Sequence, residues 1–290
     1  MKRFIHLSDP VSDAPAAPSW RAQLALGFAD DGGTTRLVER SHSGPLRVQK
    51  PLYPEGAAPC HAIVVHPPGG VVGGDQLALD IRLQPMAHAL IATPGAAKWY
   101  KANGRQSAQT VTIDIAAGAA LEWLPQETIF FDQAEVALET TIALHGDARY
   151  LGCEILCFGR TASGERFDSG RIAQRTRITR DGRLLWLEQG ALDAALLGSP
   201  LMLAGRTVCA TLIAVGPALP PSVLAQVRES CAALAPEADL FGATQMKTVL
   251  VVRHLGQSSE VARRVMLQAW RVLRPALLGR EAVVPRIWNT

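Results

Sequence analysis

The 290-residue sequence predicts a mainly β fold, a large multi-stranded β-domain with two α-helices near its C-terminus. Three observations carry that reading. The chain holds 25 Gly and 19 Pro, and from Trp20 onward these residues separate short apolar runs, the punctuation of turns between strands. Several runs alternate apolar and polar residues with period two. A helical apolar period of about 3.6 residues emerges only in the last quarter.

Residues 1–19, rich in Ala, Pro, Ser and Asp, are expected to form a flexible N-terminal extension, leaving 20–290 as a single domain. Strands are predicted at 111–115, 140–144 and 172–179. In the last of these Ile172, Gln174, Thr176 and Ile178 share one face, and Arg175 and Arg177 the other. Asp181-Gly182, set before Leu184-Leu185-Trp186, is a strong hairpin signal. Pro221 and Ser222 open a predicted helix to Ala235, with Val223, Leu224, Val227, Cys231 and Leu234 as its apolar stripe. Residues 247–255 read as a strand. Ser258 then caps a second helix, with Glu260 in its first turn and Val261, Val265, Ala269, Val272 and Leu273 on its buried side. Pro275 is expected to limit that helix.

Composition excludes several classes of function. At 48% hydrophobic and 19% charged, the chain is too apolar for disorder. Its 29 basic residues are scattered and face 26 acidic ones, a net charge of +3, so no nucleic-acid partner is expected. A mean hydropathy of +0.11 points to surface meant for a protein partner. The five cysteines form no CxxC, which rules out a zinc ribbon and a redox pair. The opening MKRFIHLSDP lacks the apolar run of a signal peptide. The longest uncharged stretch, between Arg206 and Arg228, is broken by Pro217, Pro220 and Pro221, so no membrane span is expected and the predicted location is the reducing cytoplasm.

Tests for chemistry mostly fail. In the His66-to-Asp75 segment HPPGGVVGGD, Gly69 and Gly74 have P-loop spacing, but Asp75 and Gln76 stand where Lys and Ser/Thr belong. A carboxylate there repels phosphate. The segment reads either as a tight multi-turn connection or as a loop that presents Asp75. Ser163 lacks the flanking glycine of a nucleophile elbow, and HExxH is absent. Cys60, His61 and His66 have strand spacings that point adjacent side chains apart, and Cys153 and Cys157 read as small core residues. Four acids, Glu122, Asp132, Glu154 and Glu188, sit in apolar surroundings. Each either lies on a solvated face or points inward, where it must be paired or bind metal.

The residues then match something specific. The stretch Gly44-Pro45-Leu46-Arg47-Val48-Gln49-Lys50-Pro51-Leu52-Tyr53-Pro54-Glu55 leads to Cys60-His61 and the glycine-rich segment. Thr93-Pro94-Gly95-Ala96-Ala97-Lys98-Trp99-Tyr100 and Leu121-Glu122-Trp123-Leu124-Pro125-Gln126-Glu127 follow, then Gly159-Arg160, Ser163-Gly164-Glu165-Arg166-Phe167 and the closing Pro285-Arg286-Ile287-Trp288-Asn289-Thr290. In this order, from about Trp20 to the end, the sequence resembles the UreD (UreH) family of urease accessory proteins.

The resemblance implies a scaffold, not an enzyme. Such a protein binds apo-urease and, with UreF and the GTPase UreG, takes part in installing nickel, which UreE supplies indirectly. It implies no stably bound cofactor, only transient Ni2+ passing through an internal channel. A conduit needs ligands that replace hydration yet release the ion, a task suited to single carboxylates, carbonyls and water rather than thiolates. By motif, Asp75 and Glu188 fall at the family's pathway acids, with Glu154 and then Glu165 as further candidates. Ala97 stands where some relatives have a small polar residue, so no side-chain role is expected there. The apolar, basic tail Pro285, Arg286, Ile287 and Trp288 is expected to face UreF. The rival reading is a small-molecule hydrolase on a β-scaffold, with Asp75 and Glu188 as paired carboxylates. A nickel store is disfavoured because the chain has no His-rich tract.

Overall fold

A computed structural model describes residues 19–289, so residues 1–18 of the expected extension lie outside the described residues. The chain begins with β1 (Arg21–Asp31), β2 (Thr34–Ser43), β3 (Arg47–Val48), β4 (Cys60–Val65), β5 (Gln76–Leu83) and β6 (His88–Ala92). It continues through β7 (Ala97–Trp99), β8 (Ser107–Ile115), β9 (Ala120–Leu124), β10 (Thr128–Phe130), β11 (Glu135–Leu144) and β12 (Arg149–Phe158). A hairpin of β13 (Arg171–Arg180) and β14 (Arg183–Asp193) precedes β15 (Val208–Val215) and helix α1 (Pro221–Ala232). The last elements are β16 (Leu240–Met246), β17 (Val249–Gly256) and helix α2 (Ser259–Leu278).

The strands form two sheets. A seven-stranded sheet has the order β14-β13-β11-β8-β5-β1-β2, and a ten-stranded sheet runs from β16 through β17, β15, β12, β9, β6 and β4 to β3, with β10 paired to β12 and β7 paired to β10. Between β4 and β13 the chain crosses repeatedly from one sheet to the other. Along this course β5, β8, β11 and β13 stack in parallel in the first sheet, and β4, β6, β9 and β12 in the second. Parallel neighbours need a long crossover, and here a strand of the opposite sheet supplies it instead of a helix.

One core fills the space between the sheets, with Phe28, Leu79, Ile113, Ile142, Tyr150 and Phe158 among its members. A second core lies between the ten-stranded sheet and the helices, built from residues such as Leu90, Leu151, Ile155, Val265 and Trp270. The ten-stranded sheet is thus covered on both faces, and β6 is buried at all five positions. The seven-stranded sheet keeps one face in water, and β5 alternates accordingly.

The expected strands and the Asp181-Gly182 hairpin are present, with φ of +48° and +78° at the two turn residues. Ser258 caps α2, its Oγ accepting from the Val261 amide at 3.3 Å. Three expectations need correction. Pro275 does not end α2: the helix continues to Leu278 and stops at Gly279 in the left-handed conformation. A proline there forfeits one amide bond near the helix end, while the extra turn buries Leu277. Helix α1 stops at Ala232, short of Ala235, and Leu234 is exposed. The strand expected at 247–255 is present as β17 but starts two residues later, at Val249, because Lys247 turns the chain at φ +53° between β16 and β17.

Candidate functional site

Alternation and strand register together build the site. On the seven-stranded sheet one inward row runs from Leu79 through Val111, Thr140 and Thr176 to Glu188. The next inward row runs from Leu77 through Gln109, Leu138 and Gln174 to Gly190. The ten-stranded sheet answers with Glu154, Thr211 and Arg253 in register on β12, β15 and β17. Polar side chains therefore face one another across the sandwich interior near β14, where an apolar core cannot close without stranding them.

Two cavities result. One of about 40 Å3 is lined by Glu154, Gln174, Thr176, Glu188 and Thr211, among others, and has room for water. The other, about 260 Å3, shares Trp123, Thr140 and Glu154 with it and extends beneath His66, Gly70 and Gln126 on loops and Ala97 at the start of β7. Glu154 is half-buried and accepts a hydrogen bond from Gln174 Nε2. Burial, and then the nearby Glu188 carboxylate, raise its pKa to about 7 against the effect of that hydrogen bond. Glu188 is held differently: Arg253 Nη2 lies 2.8 Å from its Oε2, an ion pair that joins the two sheets. Cys153 reaches the smaller cavity, but burial pushes its thiol up to about 12, so it stays protonated and ligates metal poorly.

Asp75 is not brought to these acids. It is buried, lines neither cavity, and turns back on its own loop, accepting from the Trp20 amide at 3.0 Å and the Val72 amide at 3.2 Å. The glycines of this loop answer to close packing: a Cβ at Gly73 would lie 1.8 Å from the Ala102 carbonyl oxygen. His66, on the wall of the larger cavity, has its pKa lowered by burial, although the Asp75 charge works the other way. Asp75 and Glu188 thus share no cavity, and the paired carboxylates of a hydrolase are not assembled. Glu165 also lies elsewhere, pairing with Arg160 and accepting from the Asp132 amide. Ala97 lines the larger cavity with backbone and methyl only.

The tail residues pack on their own chain. Pro285 is buried, Ile287 and Trp288 lie against the core beneath α2, and Arg286 is exposed. Arg263 approaches the Trp288 ring to 6.0 Å.

Of the four acids in apolar surroundings, Glu122 is the most enclosed. It accepts from Trp270 Nε1 at 2.7 Å and Arg274 Nε at 2.9 Å, and lies 3.0 Å from His88 Nε2. Arg274 also bridges to Glu55, which contacts His61 Nε2 at 2.8 Å. Asp132 is a loop staple that accepts from the Asp168 and Ser169 amides. Sequence reading missed Gln174, Thr211 and Arg253. The available signal was a pair of polar residues, Gln174 and Thr176, between isoleucines on one face for the first, and a lone charge in the run Val249–Gly256 for the last. Among the described residues no group of three or more His, Cys, Asp or Glu is placed to hold a metal ion, and no helix is long and apolar enough to cross a membrane.

Comparison with known proteins gives a consistent result. The family model described as UreD urease accessory protein matches residues 21–289. The urease accessory protein UreD of Janthinobacterium sp. (strain Marseille) is 63% identical over 272 residues, covering 93% of this chain and 92% of the relative. Its namesake from Nitrosospira multiformis is 53% identical over 282 residues, covering 97% of this chain and 100% of the relative. That of Dechloromonas aromatica is 48% identical over 284 residues, covering 97% of this chain and 98% of the relative.

Proposed function

This chain belongs to the UreD family of urease accessory proteins, and from that premise we propose that it is a cytoplasmic scaffold that passes Ni2+ to apo-urease through the cleft between its sheets. A urease accessory protein is a maturation factor rather than an enzyme. In this proposal it binds apo-urease on one side and UreF with the GTPase UreG on the other, and UreE acts upstream as the nickel source. Pro285, Arg286, Ile287 and Trp288 are assigned to the UreF side, with exposed Arg286 as the group free to make the contact.

One observation supports the cleft above others: register brings Glu154 and Glu188, from opposite sheets, to one small cavity with hydroxyl and amide neighbours. A dication entering there exchanges hydration for single carboxylates, threonine hydroxyls and the Gln174 amide. Oxygen donors of this kind hold Ni2+ weakly enough to release it, whereas a thiolate would trap it. Cys153, kept protonated, does not interfere. Arrival of the ion expels the proton that Glu154 holds near neutral pH, as metal binding generally does at a protonated ligand. Asp75, outside both cavities, contributes by holding the glycine loop that forms part of the larger one's wall.

The test is nickel content. Urease co-expressed with all accessory proteins, including Glu154→Gln or Glu188→Gln chains, is expected to co-purify with the complex yet carry at most half its normal nickel. Undiminished nickel in both variants would overturn the passage.

A further inference from the structure

We propose that Arg253 is the placeholder of the cleft: its guanidinium occupies Glu188 in the absence of metal and must leave when a dication takes that carboxylate. This rests on the reading of the cleft as a metal passage and assigns a positioning role that the acids alone do not fill. Arg253 Nη2 lies 2.8 Å from Glu188 Oε2, and Arg253 stands in register with Thr211, which stands in register with Glu154. One cation therefore lies against Glu188, on the strand beyond the one that separates it from Glu154.

Charge balance sets the guanidinium and a dication in competition for Glu188. Two ionised carboxylates neutralise one Ni2+. With Arg253 still in place, the partly enclosed cleft would carry an excess positive charge and the two cations would repel at short range. A guanidinium cannot escape by losing its proton, so Arg253 can only move. The structure gives it room. Its side chain is 46% exposed, and its in-register neighbour on the edge strand is Gly242, beside which a Cβ would meet nothing within 4 Å. Swinging toward that gap takes the charge into water at the cost of one half-exposed ion pair, a small cost. On ion departure the guanidinium returns to Glu188, so the carboxylate never holds the metal against release.

The experiment measures Ni2+ affinity of the full-length chain by competition with a chromophoric chelator. Arg253→Gln removes the charge and keeps a shorter, neutral hydrogen-bonding side chain, and is expected to bind Ni2+ roughly tenfold more tightly than wild type. Arg253→Lys keeps the charge and is expected to stay within about threefold. The gain should vanish when Arg253→Gln is combined with Glu188→Gln. Equal affinity of Arg253→Gln and wild type, or a gain that survives in the double variant, would overturn the proposal. Failure of the passage itself shows separately, as normal urease nickel in both the Glu154→Gln and the Glu188→Gln chains. Thermal melts of each variant confirm folding, and a misfolded Gln variant is replaced by Arg253→Met with the same expectation.

Discussion

Glu122 and Glu154 sit on neighbouring strands of the ten-stranded sheet but face opposite ways, and the protein treats them in opposite manners. Glu122 points toward the helices and is surrounded by Trp270, Arg274 and His88. Burial pushes its pKa up, but the contacts with His88 and Arg274 outweigh that push and leave it lowered. Glu154 points between the sheets with one amide donor and a second carboxylate nearby, and its pKa is raised to about 7. An acid whose charge is fully matched is a structural bolt. An acid whose charge is left unmatched beside a cavity is available to a mobile cation.

The contrast breaks most violently at Arg274. It is the cation between Glu122 and Glu55, and its Nη1 also donates to the Glu281 carbonyl, tying down the segment after α2. Arg274→Leu leaves two buried carboxylates facing each other. The expected loss is about 3–5 kcal/mol of unfolding free energy, the usual penalty for removing one partner of a buried ion pair. Urea unfolding of the purified variant measures it, and a loss below about 1 kcal/mol would show that the cluster is not a bolt.

The next effect has the opposite sign on the other acid. In the folded chain Glu154 titrates near 7, above its ordinary 4.5, so between those values the native state holds a proton that the unfolded chain has lost. Stability therefore falls as pH rises through that window, and the penalty is complete above pH 7. Glu154→Gln removes it: no change is expected below pH 4.5 and a gain of up to about 3 kcal/mol above pH 7. Glu122→Gln should behave in the reverse way, costing stability above pH 4.5 and progressively less as acid titrates the native carboxylate. Unfolding curves for both variants across pH give the two slopes, and slopes of the same sign would erase the distinction.

Why the sequence showed one sheet better than the other follows from the same faces. The runs found by alternation, 111–115, 140–144 and 172–179, all lie in the seven-stranded sheet, which keeps one side in water. Strands such as Cys60–Val65 and His88–Ala92 are buried on both sides and show no alternation to read. The parallel coiling was hidden too, because each strand pairs with one reached only after a crossing through the other sheet. At the site, Glu154 and Glu188 were conspicuous as acids among apolar residues, yet only register decides that they point inward and meet. Asp75 was conspicuous for its glycines, and those glycines proved to serve the loop that its carboxylate closes.

The smallest effect sharpens the comparison by isolating a single hydrogen bond. Gln174 Nε2 is the donor that favours the charged form of Glu154, while burial and Glu188 favour the neutral one. Gln174→Leu removes the donor at nearly constant volume and leaves the other two influences in place. The pKa of Glu154 should then rise further, by about one pH unit, equivalent to about 1.4 kcal/mol. Infrared titration of the carboxyl stretch, with Glu154→Gln as the blank, reads that value directly. An unchanged pKa would mean that water in the cavity already solvates the carboxylate, and the difference between the two acids would then lie in charge matching alone. A rise of the expected size would show that Glu154 keeps its readiness to ionise through one amide, where Glu122 uses a guanidinium, an indole and an imidazole.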